Sequence, residues 1–273
     1  MDAVAVEARR PLPPPRLPSA DATAPNAVIV EREDVSPSIV RLRVRPDAGV
    51  PAFRPGQYFA LGITVDGRPL QRPYSAASAI SETNALDFLV RLVPGGELTP
   101  RLWGLGAGDR VRLGRPKGLF VPDPGDSRRA VYVATGTGIA PLLSMLETGL
   151  ADTDAWPANR RPVVVHGVAR PDDLAYRARL AALHRTGRIR YVPAVSRPHD
   201  LASAGWTGAT GRIDSLLPGL LADAGAAAGA TVAFVCGNPG MTDAACDALR
   251  AYGLPDEAIR SEAYWVAASS EAA

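Results

Sequence analysis

Ala130-Val131-Tyr132-Val133-Ala134-Thr135-Gly136-Thr137-Gly138-Ile139-Ala140-Pro141 is the stretch that decides the fold. A fully apolar run of strand-forming residues enters a glycine turn, and a helical stretch from Pro141 to Leu150 leaves it. Outward toward the C-terminus, strand runs recur at 161–168, 189–195 and 231–236, with a helical pattern over 171–185. Strands alternating with helices predict a doubly wound α/β domain with a parallel sheet, here assigned to 126–273. Outward toward the N-terminus the grammar differs. Short runs at 27–31, 38–44, 57–63, 86–93 and 109–114 partly alternate, and breakers such as Pro46-Asp47 and Pro55-Gly56 divide them. This pattern predicts an antiparallel β-barrel domain over 26–125. Residues 1–25 are rich in Pro and Ala without a periodic apolar face and read as a disordered or extended arm.

Composition excludes several classes. With 30 basic and 28 acidic residues the net charge is +2, so nucleic acid is not expected as a partner. Two cysteines, Cys236 and Cys246, are too few for a disulfide scaffold or a four-cysteine iron–sulfur site. The three histidines show no ligand spacing, so no metal is expected. No apolar run reaches the ~18 residues of a membrane span. Arg9-Arg10 is followed by Pro-Leu-Pro-Pro-Pro rather than an apolar signal core, so the expected location is the cytoplasm, and the expected state a monomer.

Four motifs carry chemistry. Arg72-Pro73-Tyr74-Ser75 offers a phosphate-binding guanidinium, an aromatic face and a hydroxyl at a strand end, a set that suits a flavin and equally a plain strand end. Gly95-Gly96-Glu97-Leu98-Thr99-Pro100 reads as a helix start with Thr99 as N-cap, where free N–H groups favour an anion such as a pyrophosphate. Gly136, Thr137 and Gly138 between strand and helix fit a nucleotide pyrophosphate turn, with Pro141 in place of a last glycine. The ribose-binding acid expected about 20 residues on is missing. Ser196, Arg197 and Arg212 stand near later strand ends instead, which favours the 2′-phosphate of NADPH. Cys236-Gly237-Asn238-Pro239-Gly240-Met241 ends a strand in a turn that reads as close backbone approach to a ligand. Glu262-Ala263-Tyr264-Trp265 reads as an aromatic cover for a ring, or as C-terminal packing.

In that order, with Pro55-Gly56-Gln57-Tyr58, His166-Gly167 and Val195-Ser196-Arg197, these motifs resemble the ferredoxin–NADP(H) reductase family, bacterial ferredoxin/flavodoxin reductase type, over 27–265. The resemblance implies a barrel that binds FAD and an α/β domain that binds NADP(H). It places Arg72, Gly95, Gly96 and Thr99 at the FAD phosphates, Tyr74 on one flavin face and Ser75 at the flavin edge. Trp265 joins the FAD set. Gly136, Thr137, Gly138 and Gly237 would hold the NADP pyrophosphate and neighbouring backbone, and Ser196, Arg197 and Arg212 the 2′-phosphate. Tyr264 would cover the second flavin face, with Cys236 and Glu262 beside the nicotinamide. Arg170 is shifted by one from the family's pattern, and the chain runs past Trp265 where that pattern ends.

The implied reaction passes hydride from NADPH to FAD and then single electrons to a small acidic ferredoxin or flavodoxin. Arg68, Arg91, Arg101, Arg112 and Lys117 are available to dock it. Two other readings stay open: an NADH-dependent reductase component of an oxygenase system, and a non-catalytic flavoprotein that transfers electrons or senses redox state.

Overall fold

In the computed structural model, which describes residues 24–151 and 161–264, the alternating runs of the first half become one antiparallel sheet. Its strands are β1 (Ala27–Ser36), β2 (Ile39–Pro46), β3 (Tyr58–Val65), β4 (Arg68–Ser75), β5 (Leu86–Arg91) and β6 (Arg110–Leu113). They lie in the order β4-β3-β6-β1-β2-β5. A bridge from Ala76 to Phe88 and a 2.9 Å bond from Ala77 N–H to the Asp87 carbonyl return the end of β4 to β5, so the sheet closes on itself. Along β2, Val40, Leu42 and Val44 point inward, while Arg41 and Arg43 point outward and meet Asp87. Phe59 anchors the core, edge-on to Phe53 at 5.7 Å and to Phe88 at 5.9 Å.

The short helix α1 (Thr99–Trp103) departs from expectation. Its N-cap is Leu98, without a side-chain bond, and the Thr99 hydroxyl turns back to accept from Val93 N–H at 3.0 Å. Closing the preceding loop wins over capping.

The second half is a parallel sheet, β10 (Ala209–Thr210), β9 (Arg190–Val195), β8 (Val163–Val168), β7 (Arg129–Thr135), β11 (Thr231–Gly237) and β12 (Ile259–Ala263), in that spatial order. Alternation along β7 feeds two cores. Tyr132 and Ala134 pack with α2 (Ile139–Ala151) and α3 (Arg177–Arg185), and Val131 and Val133 with α4 (Ile213–Asp223) and α5 (Pro239–Ala251). The first core continues into the barrel through Ile39, Leu89 and Phe120, which joins the two sheets.

The continuous helix predicted over 171–185 is instead a 3-10 turn, Pro171–Asp173, followed by α3. Tyr176 interrupts it with a left-handed φ of 58°, and Asp173 is drawn to the barrel, accepting from Ser36 Oγ at 2.6 Å and Ser38 Oγ at 3.1 Å. β10, α4 and β12 have no counterpart in the sequence reading. α4 contains Pro218, and β12 is Ile-Arg-Ser-Glu-Ala, too polar to announce a strand.

Candidate functional site

The order β8-β7-β11 places the point where the strand order reverses between β7 and β11, where both parallel strands end in glycine turns. A cleft of about 1210 Å³ opens there and runs along the barrel from Tyr58 and Arg72 past Thr99 to Arg212.

Tyr264, just beyond β12, crosses to the barrel and donates to Ser75 Oγ at 2.9 Å, while its own N–H donates to the Gly237 carbonyl at 2.8 Å. The parallel pairing of β11 with β12 sets Cys236 opposite Glu262 and Gly237 opposite Ala263. Ser75, Cys236, Glu262 and Tyr264 therefore form one cluster from both halves of the molecule. Burial raises the Glu262 carboxyl above its ordinary value against the opposing contact with Ser75. Burial also lifts the Cys236 thiol far up, so the sulfur stays protonated. Tyr74 is pushed up to about 12 by burial, opposed by Arg72.

Gly138 and Gly237 meet a need inside the protein. A Cβ on Gly138 would stand 2.3 Å from the Cys236 carbonyl oxygen, and one on Gly237 2.2 Å from Thr135 Oγ1. The close approach expected between the Cys236–Gly240 turn and a ligand is therefore first an approach to the β7 turn. Asn238 caps α5 by accepting from Gly240 N–H at 3.1 Å, with Pro239 in the first turn. Its own N–H reaches Thr135 Oγ1 at 3.2 Å. Gly136 takes a φ of +52°, a conformation that glycine adopts without strain. Buried His166, in the second half of β8, lies with Nε2 3.0 Å from the Gly136 carbonyl oxygen.

Most of the residues expected at the site line the cleft: Arg72, Tyr74, Ser75, Gly96 and Thr99 on the barrel side, Gly136, Thr137, Ser196, Arg197, Arg212, Gly237, Glu262 and Tyr264 on the other. Gly95 lies outside the lining, and Gly138 and Cys236 sit beneath it, Cys236 fully buried. Arg170 pairs with Asp200 and stays off the wall. Trp265 and the tail after it lie outside the described residues. Arg212 spends part of its charge on Asp214 at 3.2 Å, itself in the cleft.

Sequence reasoning counted Arg91 among the basic residues available to dock an electron carrier. It ends β5 in the cleft, its Nη1 3.3 Å from where a Cβ on Gly136 would stand. The signal was a lone cation closing an apolar strand, and only the docking of the two sheets gives it meaning. Arg91 and Arg197 have no ion pair among the described residues, and the nearest carboxylate to Arg72 is 3.8 Å away on exposed Glu97. Uncommitted cations, hydroxyls and glycine turns along one cleft form a donor set that fits two dinucleotides.

Comparison with known proteins agrees with that chemistry. A model described as the oxidoreductase FAD-binding domain matches residues 26–121, and one described as the oxidoreductase NAD-binding domain matches 132–247. The chain is 32% identical over 246 residues to ferredoxin–NADP reductase B of Sorangium cellulosum, covering 87% of this chain and 96% of that one. A crystal structure of a Neisseria gonorrhoeae ferredoxin NADP+ reductase with bound FAD and NADP superposes with a TM-score of 0.72 at 25% identity, covering 87% and 97% of the two chains. Amycolatopsis cytochrome P450 reductase GcoB superposes at 0.74 with 29% identity, covering 88% of this chain and 69% of that one.

Proposed function

Because the chain belongs to the ferredoxin–NADP(H) reductase family, we propose that it carries electrons from NADPH through FAD to a small acidic ferredoxin or flavodoxin. Its dependence on FAD and a nicotinamide nucleotide follows from the family and its two matched domains. The observation that carries the finer reading is the contact of Tyr264 with Ser75, which sets an aromatic ring from one half against the Arg-Pro-Tyr-Ser strand of the other.

In this reading Arg72, Thr99 and the Gly95–Gly96 turn hold FAD phosphate, Tyr74 supports one ring face and Ser75 its edge. Tyr264 covers the other face and gives way when the nicotinamide arrives. Gly136, Thr137, Gly237 and Arg91 surround the nucleotide pyrophosphate, with Gly138 seating the turn from beneath. Ser196 and Arg197 meet the 2′-phosphate, assisted by Arg212 so far as Asp214 leaves its charge free. FAD held there would supply hydride acceptance and single-electron release. The protein's part is to orient the two rings and exclude water. The Cys236 thiol, held protonated by burial, adds no charge beside the reacting face, and burial raises the proton affinity of the neighbouring Glu262 carboxyl.

The test is NADPH-driven cytochrome c reduction with an added acidic ferredoxin or flavodoxin. A saturable rate that depends on the carrier and falls with salt is expected. A rate indifferent to both carriers, or faster with NADH alone, favours instead an oxygenase-type reductase, the direction in which the likeness to GcoB points.

A further inference from the structure

His166 is among the most deeply buried polar side chains of the molecule, and the chemistry above makes no use of it. It lies in the second half of β8, one strand from the glycine turn, at the register where Ala134 pairs with His166 and Thr135 with Gly167. The ring reaches across to the Gly136 carbonyl with Nε2 at 3.0 Å, while Nδ1 is buried without a hydrogen-bond partner among the described residues. A carbonyl oxygen can only accept, so the proton sits on Nε2 and the ring donates. Desolvation lowers the ring to about 4 against the opposing influence of that carbonyl and Asp173, and it is therefore neutral across the working range.

The bond fixes the residue that the turn most needs fixed. Gly136 alone among the three turn residues holds a left-handed φ, so its carbonyl faces inward rather than into the cleft. With the carbonyl tied down, the following N–H groups are free to point into the cleft that Gly136 and Thr137 line. The other restraints on the turn act elsewhere: Gly138 against the Cys236 backbone, and Thr135 Oγ1 on Asn238 N–H. The Gly136 carbonyl also accepts from the N–H of Ile139 at the start of α2, and the His166 ring is the one side chain that holds it among the described residues.

We propose that His166 is a positioning residue for the nicotinamide nucleotide, donating from Nε2 to the Gly136 carbonyl and so presetting the turn that receives the pyrophosphate. This rests on reading that turn as the nucleotide seat. Without the donor the carbonyl keeps its bond from Ile139 N–H but loses the lateral tie to β8, so the turn is no longer fixed in its angle to the cleft.

The experiment measures binding of NADP+ to FAD-loaded protein by the change in the flavin spectrum, for His166→Leu, His166→Gln, His166→Asn and Gly136→Ala. His166→Leu is expected to weaken NADP+ about tenfold, the upper end of the scale of one lost hydrogen bond. His166→Gln places an amide N–H near the Nε2 position and should recover most of the affinity, whereas His166→Asn falls short and should not. FAD content stays that of the native protein in all three. A dissociation constant for His166→Leu within twofold of native overturns the inference, as does equal binding by the Gln and Asn variants. That second comparison decides the matter if the Leu variant does not fold. If Gly136→Ala binds NADP+ normally, the turn is not the nucleotide seat, and the underlying reading fails instead.

Discussion

Gly138 and Gly237 are glycines because two turns of the same chain interlock. Gly138→Ala drives a Cβ to 2.3 Å from the Cys236 carbonyl, a contact with backbone that cannot rotate away. A loss of about 1–3 kcal/mol is expected in a denaturant titration, the range for an overpacked core. At Cys236 the expectation concerns rate. Cys236→Ala should retain FAD yet be reduced by NADPH more slowly, and an unchanged rate removes the sulfur from the reacting site. Asp214 makes a charge argument. It takes part of Arg212 within the cleft, so Asp214→Asn should raise the preference for NADPH over NADH severalfold in kcat/KM. A lowered ratio would show that the acid orders the arginine rather than occupying it. The glycine and Arg-Pro-Tyr-Ser motifs were legible because short strings bring their neighbours with them. Arg91 and His166 were not, since each acts on a turn that lies far off in sequence.

Elements bring together what no single segment declares. Glu147, on the inner face of α2, lies beside Arg179 of α3 at 2.5 Å and close enough to Asp87 of β5 to feel its charge. Burial pushes its carboxyl up to about 7, with Asp87 adding in the same direction and Arg179 opposing. The folded state thus favours the protonated acid. That stability is complete below the ordinary carboxyl range near 4.5 and is lost as pH rises through about 7. At roughly 1.4 kcal/mol per unit the span is on the order of 3–4 kcal/mol. Stability measured from pH 4.5 to 8 should therefore fall less steeply in Glu147→Gln than in the native protein, and parallel curves would show the acid to be solvated. Long apolar strands such as β7 could be read from composition alone. β12 and α4 could not, because a polar edge strand and a helix carrying Pro218 obtain their order from the sheet they pack on. The 171–185 helix failed for the same reason, broken where Asp173 reaches the barrel.

For the whole molecule, function depends on two sheets meeting at one cleft. Ser36 and Ser38 hold Asp173 at the rim, and Tyr264 holds Ser75 within it. Ser36→Ala with Ser38→Ala leaves a carboxylate short of donors. It should cost about 1–3 kcal/mol and lower the thermal midpoint by several degrees, read by calorimetry. An unchanged midpoint would mean that the apolar seam through Ile39, Leu89 and Phe120 joins the halves without help. The passage from an antiparallel to a parallel sheet was visible as a change from alternating to continuous apolar runs. The cleft between them was not, since it belongs to neither pattern.

The most direct measurement of the central claim is anaerobic titration of the purified protein with NADPH and, separately, NADH, followed in the visible flavin band. Bleaching by NADPH at much lower concentration or higher rate than by NADH is the expected result, and it ties the flavin seat to the cluster of Ser196, Arg197 and Arg212. A yellow protein that neither nucleotide bleaches, or a colourless one unable to take up FAD, contradicts the account.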